Sequence, residues 1–309
     1  MTNEFTHDDD DRTDNERIFD RHVTRIAAGA YKDFQEVRIS ARNQVRDVVR
    51  KRNEGIPFDE TEDEKEDRDY DREYRDENLP ELIDEMHDDG KFTDHEVRYT
   101  NRLLENAQIA ARMEAEYESM MELAEKEPIY KFYLQHVNGV GAVTTAKLIH
   151  VFGYCEDRDH VSEIWSYAGM APGQRRRRGE KLDFNPDAKT LAWLCANQMM
   201  RCGDKSMYRT EFYIPYKHKQ LRRMEQAKDM TDAQLEEVKW TPPQSKQHAH
   251  NRAIRYMAKK FLAHYCVLAR HVKGLKTPDP WIIEHGGHEK REESFEDAFY
   301  ARDLLADRS

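Results

Sequence analysis

Two glycines one residue apart, Gly139 and Gly141, mark the stretch of this chain whose residue types most directly suggest chemistry. A helical pattern of apolar residues follows them. Because glycine has no Cβ, the pair lets the backbone turn tightly, and the next helix then offers its unpaired N-terminal amides and positive dipole end to an anion. A helix-hairpin-helix holds a nucleic-acid phosphate in this way. The same residues equally suit a plain helix–helix turn with glycine caps.

The elements on either side of the two glycines are predicted to be helices. Residues 130–137 follow Pro128, which suits the first turn of a helix. After the glycines, apolar residues recur at roughly helical spacing, which predicts one core-facing side; they are Val143, Ala146, Leu148, Ile149 and Phe152. The hairpin therefore needs a partner helix that covers this side. A further helix is predicted over 186–200, and its core residues are Leu191, Trp193, Leu194, Ala196 and Met199.

Charge divides the chain unevenly. The whole sequence has 50 Lys and Arg against 61 Asp and Glu, a net charge of −11. Residues 129–276 alone contain 26 basic and 14 acidic residues, so this part is strongly basic and the remainder strongly acidic. A basic region of this kind is the electrostatic footprint of a protein that binds phosphates, whereas the acidic remainder repels them.

A second cluster of bases is predicted to bind phosphate. Four consecutive arginines stand between Gly173 and Gly179, with Lys181 just beyond. Guanidinium groups held this close repel one another unless an anion lies between them, and each can bind a phosphate through two donors. The alternative for this loop is a solvated run of charge without a ligand. The arginines are Arg175, Arg176, Arg177 and Arg178.

The last helical pattern of the chain also carries bases. Arg252, Arg255, Lys259 and Lys260 are predicted to share one broad face. The opposite face is apolar and contains Ile254, Met257, Phe261 and Leu262. We expect this helix to extend the phosphate-binding track.

The residues before Pro128 predict long helices without strands. Apolar residues recur at helical spacing over 15–53, which indicates one long helix or two abutting ones, and again over 79–86 and 94–127. Residues 60–78 read as a helix laced with ion pairs or as a connector. The long helices favour a coiled coil that joins two copies of the chain, and a bundle within one chain is the alternative.

Composition limits the remaining function classes. No apolar run approaches the roughly 20 residues of a membrane span, and the polar start of the chain is not a signal peptide. The four cysteines form no C-x-x-C pair, so no zinc finger or disulfide framework is predicted. We therefore expect a cytoplasmic, all-α protein without a cofactor, metal or membrane partner. Its regions are an acidic disordered tail (1–14), a long-helix region (15–127), a DNA-binding domain (128–276) and an acidic C-terminal tail (277–309).

Two linked motifs resemble a known family. The N-G-V-G run at 138–141, with F-G at 152–153, is followed by W-S-Y-A-G-M-A-P at 165–172. In this order and spacing they resemble the C-terminal domain of the insertion-sequence 110/116/902 transposases, over roughly residues 130–194. The resemblance implies a helix-hairpin-helix that acts on DNA, in a family whose members also have an N-terminal RNase-H-like domain with four acidic residues, a coiled coil and a nucleophilic serine, and which are guided by an RNA.

The chain departs from that family where the family's chemistry resides. The stretch that corresponds to the serine patch, 173–182, contains no serine, and the basic turn that follows in the family is replaced by K-L-D-F-N-P-D at 181–187. Long helices occupy the place of the RNase-H-like domain. Strand exchange needs a nucleophile and acids that position the attack. We therefore predict a DNA-binding protein related to transposition or recombination that lacks its own strand-transfer chemistry and has no catalytic residues.

Two other functions stay open from the sequence. One is an active recombinase with an unrecognised nucleophile or with a partner subunit that supplies it. The other is an RNA-binding or scaffolding protein. The partners expected are double-stranded DNA, structured RNA and a second copy bound through the N-terminal helices. The predicted DNA contacts are Asn138, Gly139, Val140, Gly141, Thr144, Lys147, Arg175, Arg176, Arg177, Arg178, Lys181, Arg252, Arg255 and Lys259.

Overall fold

The computed structural model describes residues 12–58, 74–171, 173–174, 179, 181–238, 240–276 and 303. All regular structure in these ranges is helical, which confirms the predicted all-α fold. Most of both predicted tails, most of the segment over 60–78 and the four arginines of the basic loop fall outside the described residues. Among the helices that are described, none is both long and apolar enough to cross a bilayer.

The described chain forms two compact units. One consists of residues 26–120, and the other combines the residues before 26 with those from 121 onward. The first helix, α1 (Asp14–Glu54), is continuous, so its first turns belong to the second of these units. The predicted helix over 15–53 is therefore one helix and not two.

The unit of residues 26–120 pairs two long helices in antiparallel fashion. The second helix, α2 (Leu79–Asp88), and the third, α3 (Asp94–Met121), follow α1. Phe34 stacks on Tyr117 with ring centroids 5.7 Å apart. Towards the other end of the pair, Arg52 Nε donates to Glu96 Oε1 at 2.7 Å. A small core between α1 and α2 closes this end; it contains Val45, Val49, Tyr74, Leu79, Ile83, Met86 and Phe92.

Capping boxes explain where α1 and α3 begin. The Thr93 amide donates to Glu96 Oε2 at 3.0 Å, and the Glu96 amide donates back to Thr93 Oγ1 at 3.3 Å. Thr13 and Glu16 form the same reciprocal pair at α1. Each box satisfies helix amides that otherwise have no partner.

The other unit is built around its last helix. The helices are α4 (Pro128–Phe132), α5 (Ala142–Phe152), α6 (Val161–Tyr167), α7 (Pro186–Arg201), α8 (Ile214–Gln226), α9 (Asp232–Glu237) and α10 (Lys246–Val272). Helix α10 packs against α4, α6, α7 and α8. Every residue from Lys260 to Arg270 is buried. The two-sided helix predicted here is therefore wrong for its second half, because neighbours surround it and Lys260 is enclosed.

Buried polar groups inside this unit find partners. The Arg270 guanidinium, at the end of α10, donates to the carbonyl oxygens of Cys155 at 2.6 Å and Arg158 at 2.8 Å. The Tyr208 hydroxyl hydrogen-bonds to His264 Nδ1 at 2.7 Å and to the Tyr133 hydroxyl. Burial lowers the pKa of His264 to about 3, with a smaller contribution from the charge of Lys260. This histidine therefore stays neutral in the folded protein.

Two predicted helical details differ. The helix expected over 130–137 is a short α4 followed by one 3-10 turn, Leu134–His136. Tyr133, with φ −141°, interrupts it and buries its ring in the core. On α7, the apolar pattern predicts Leu194 in the core, but this residue is 41% exposed. Its side chain falls outside the buried stripe of α7, which includes Leu191, Cys195 and Met199.

Candidate nucleic-acid interface

The hairpin turn is built so that Gly139 contacts the backbone of α7. The Val140 amide donates to the carbonyl oxygen of Val137 at 2.9 Å and closes the turn. Gly139 has φ +97°, and a Cβ placed on it would lie 2.9 Å from the carbonyl carbon of Gln198 and the amide nitrogen of Met199. Val140 is buried in the core. Only glycine fits at 139, and its role is to close the turn against α7.

Gly141 has a different environment. It is the N-cap of α5, with extended backbone angles of φ −102° and ψ −172°. It is exposed, and a Cβ built on it would meet nothing within 4 Å. Its carbonyl oxygen accepts the first helical hydrogen bond, from the Thr145 amide at 2.9 Å. The start of α5 is therefore open to solvent.

The first amides of α5 lack partners in the described part of the chain. No described residue accepts a hydrogen bond from the amides of Ala142, Val143 or Thr144. Glycine has no side chain that could cap them. The start of α7 shows the opposite case, because Asn185 Oδ1 accepts from the amides of Asp187 at 2.8 Å and Ala188 at 3.1 Å. The N-terminus of α5 thus keeps donors available for an anion.

The end of α7 and the turn after it carry two exposed bases, and this turn contacts the hairpin. Asn138 Nδ2 donates to the carbonyl oxygen of Lys205 at 3.0 Å, which fixes the short 3-10 turn after α7 against the hairpin. Lys205 and Arg201 are exposed, and neither forms an ion pair with a described carboxylate. Sequence reasoning missed both, because nothing in the local spacing indicates that the end of α7 returns to the hairpin.

Two further predicted residues, Thr144 and Lys147, lie on α5. Thr144 is buried, and its Oγ1 lies 3.5 Å from Gln198 Oε1, so only its amide can face a ligand. Lys147 is half-buried, and its charge acts on the buried Cys195 thiol. The hairpin thus offers mainly backbone donors.

The two ends of the arginine loop, Gln174 and Asn185, each hydrogen-bond to α6, although the arginines themselves lie outside the described residues. Gln174 Nε2 donates to the Ser166 carbonyl oxygen at 3.1 Å, and Gln174 Oε1 accepts from the Ala171 amide at 3.1 Å. On the far side of the loop, the Asn185 amide donates to the Tyr167 carbonyl oxygen at 2.8 Å. Lys181, which lies between these two ends in the sequence, is exposed.

Helix α7 sets the distance between the hairpin and the loop. Asn185 caps its start, whereas Gly139 contacts it at Gln198 and Met199. Thirteen residues separate Pro186 from Met199, and at 1.5 Å per residue this corresponds to about 20 Å. Asn185, where the chain leaves the arginine loop, and the hairpin turn therefore lie at opposite ends of α7.

The bases of α10 are engaged by the protein itself. Arg252 Nη1 donates to the Thr241 carbonyl oxygen at 2.6 Å and to Gln220 Oε1 at 3.1 Å. Arg255 Nη2 donates to the Ala171 carbonyl oxygen at 3.2 Å. The Lys259 Nζ lies 3.9 Å from the centroid of the Trp165 ring. Arg255 thus bonds to the chain just before the arginine loop, and Arg252 bonds to α8. Burial lowers the pKa of Arg255.

The comparisons with known proteins add no assignment. Searches against family models, curated proteins and solved structures each gave no match. The observations that bear on function are therefore those of the geometry above.

Proposed function

We propose that this protein binds the phosphate backbone of double-stranded DNA, with one phosphate held at the N-terminus of α5. One observation carries the proposal. Gly141 is exposed and offers no side-chain cap, three amides after it have no described acceptor, and Arg201 and Lys205 are exposed at the nearby end of α7. Backbone amides at a helix start and nearby bases form the usual environment of a bound phosphate.

The arginine loop is the second contact in this proposal. The end of this loop at the start of α7 lies about 20 Å from the hairpin along the helix, which equals roughly six base pairs at 3.4 Å per pair. A duplex that runs beside α7 then meets both positions. Contacts of this kind provide affinity and register but little reading of sequence.

The relation to transposases is part of the same proposal. The W-S-Y-A-G-M-A-P segment has a structural requirement at Gly169, where φ is +62° and a Cβ would lie 2.7 Å from the Phe184 ring. This glycine lets α6 end against the segment that enters α7, so the motif serves the fold. Since no serine stands in 173–182, the proposal assigns DNA binding in transposition or recombination and not strand transfer.

The N-terminal helices are proposed to join two copies of the chain. Apolar side chains remain exposed on both long helices; on residues 26–120 they are Ile26, Val37, Ile39, Tyr99, Ile109 and Met120. Light scattering during size-exclusion chromatography measures the mass. A monomer at all concentrations in the micromolar range would remove the dimer from the proposal.

A titration of DNA binding across salt tests the central proposal. Fluorescence anisotropy with a 20-base-pair duplex and an RNA hairpin of equal phosphate number should give a duplex affinity that falls steeply with salt. Replacement of residues 175–178 by alanine should weaken binding and flatten the slope, by up to about 0.9 for each phosphate that the variant no longer neutralises. A slope near zero in the native protein would refute the proposal. Stronger binding of the RNA hairpin at every salt concentration would favour the RNA-binding alternative.

A further inference from the structure

Helix α8 presents cations that no described carboxylate neutralises. Lys219 and Arg222 are exposed, and Lys217 and Arg223 lie half-buried at the edges of the same surface. None of the four forms an ion pair with a carboxylate in the described ranges. The one acid of α8, Glu225, pairs with Lys228 at 2.9 Å.

The long helix α1 shows that this protein ordinarily pairs its arginines. Arg42 and Arg46 both bind Asp76, and Arg38 binds Glu114. Like charges three or four residues apart on a helix destabilise it slightly. The unpaired cations of α8 therefore carry a small cost that binding of an anionic partner would remove.

Aromatic rings bracket these cations. Tyr216 stacks on Tyr256 of α10, with ring centroids 4.2 Å apart and an interplanar angle of 11°. The Arg223 guanidinium carbon lies 5.2 Å from the centroid of the Trp240 ring. All three rings are half-buried and so reach the surface. Tyr216 and Arg223 are seven residues apart, which places the two aromatic positions about 10 Å apart along α8.

Lys219 completes one line of side chains along the helix. Residues three and seven positions after Tyr216 lie on its side of α8, so Tyr216, Lys219 and Arg223 follow one another along one edge. Gln220, next to this edge, is buried and accepts from Arg252 Nη1. A hydrogen bond between α8 and α10 thus holds the surface in place.

We propose that this α8 surface, defined by Tyr216, Lys219, Arg222, Arg223, Trp240 and Tyr256, binds single-stranded nucleic acid. Cations that follow the backbone, interleaved with aromatic faces on which unpaired bases stack, are the chemistry of such sites. A duplex hides its base faces and an acidic polypeptide has none, so the rings favour a single strand. This surface is separate from the start of α5, and a single strand is a different ligand from the duplex proposed there.

The experiment compares one oligonucleotide in two forms. Fluorescence anisotropy measures the affinity of the full chain for a twelve-nucleotide oligothymidine and for a twelve-base-pair duplex. The paired change Lys219→Ala with Arg222→Ala should weaken single-strand binding by about tenfold or more and leave the duplex affinity within about twofold. The matched control is Arg98→Ala with Arg102→Ala, two exposed arginines of α3, which removes the same charge. An equal loss of single-strand affinity in the control pair would overturn the proposal.

Stacking is tested separately from charge. Tyr216→Leu should reduce single-strand affinity about five- to a hundredfold, while Tyr216→Phe, which keeps the ring, should retain it. Thermal melting by circular dichroism verifies that both variants fold; if Tyr216→Leu does not, quenching of Trp240 fluorescence by the oligonucleotide, lost in Trp240→Phe, gives the same test. Equal affinity of the Leu and Phe variants, or competition by poly-glutamate as strong as by the oligonucleotide, would overturn base stacking.

The outcome separates the two proposals. A change at Gly141 should affect the duplex and spare the oligothymidine, whereas the changes in α8 should do the reverse. If the Gly141 variant and the α8 variants all lose affinity for the duplex and for the oligothymidine, the assignment of a distinct single-strand surface is overturned. The duplex proposal would then remain intact.

Discussion

Replacement of Gly141 by aspartate should raise the stability of the protein and lower its affinity for DNA. The backbone at Gly141 is extended, and a Cβ there meets nothing within 4 Å, so any side chain fits. Aspartate is a good N-cap residue, and its carboxylate would accept hydrogen bonds from the amides of Val143 and Thr144. Asn185 makes the same kind of cap at the start of α7. The variant therefore fills the anion site with the protein's own carboxylate.

The magnitudes follow from the groups involved. A capping side chain in place of glycine adds a few tenths of a kcal/mol, and a negative charge at a helix start adds about 0.3–1 kcal/mol. The free energy of unfolding should rise by about 0.5–1 kcal/mol. Hydrogen bonds to a charged partner contribute about 1.5–3 kcal/mol, so loss of the phosphate at α5 should weaken duplex binding about ten- to a hundredfold.

The neutral variant Gly141→Asn separates capping from repulsion. It occupies the same amides without charge and should weaken binding less than Gly141→Asp. Urea titration measures stability, and anisotropy with a 20-base-pair duplex at four salt concentrations measures affinity and slope. Equal affinity of native protein and Gly141→Asp, in a variant shown to be as stable as or more stable than the native chain, would refute phosphate binding at α5.

Three further outcomes concern stability. Gly139→Ala should lower the free energy of unfolding by about 2–4 kcal/mol, since a Cβ would lie 2.9 Å from the α7 backbone, whereas Gly90→Ala, with φ +71° and open space, should cost only about 1–2 kcal/mol in urea titrations. The pKa of His264 is about 3 in the folded protein and near 6.5 in the unfolded chain, so the unfolded state takes up the proton first as the pH falls. The free energy of unfolding should therefore fall by up to about 1.4 kcal/mol per pH unit below pH 6.5. His264→Asn should reduce this pH dependence, and an unchanged slope in that variant would contradict it. Arg252→Ala should destabilise the protein by about 1–3 kcal/mol without altering the salt slope of DNA binding, and a flatter slope would return Arg252 to the interface.

Much of the fold could be predicted because helical periodicity is a local signal. The repeat of apolar residues over 15–53 appears as the single helix α1, and the helix expected from Pro186 is α7. Pro128 begins α4 as expected. The predictions that were wrong concern features that depend on contacts between residues far apart in the sequence. Tyr133 ends α4 because its ring is buried in the core, and the helices packed around α10 enclose Lys260; no window of sequence contains these contacts.

The candidate site was predictable to a similar degree. The two glycines stand out in the sequence, but their different tasks do not: one closes against α7 and the other leaves a helix end open. Lys205 could not be found, because a hydrogen bond from Asn138 to its carbonyl oxygen joins it to the hairpin across 67 residues of sequence. Arg252 and Arg255 attract notice for their charge alone, and only the structure reveals the carbonyl oxygens that they bind.

Net charge is therefore a weak guide to where a polyanion binds, and the partner of each cation decides the matter. An arginine already bound to a carboxylate must give up that bond before it can bind a phosphate, so its net gain is small. In α1, Arg38, Arg42 and Arg46 are in that position, and their part of the chain is acidic in any case. Arg201 and Lys205 have no such bond to lose within the described chain. Arg201 and Lys205 should thus contribute more to the counterion release on binding than the paired arginines of α1.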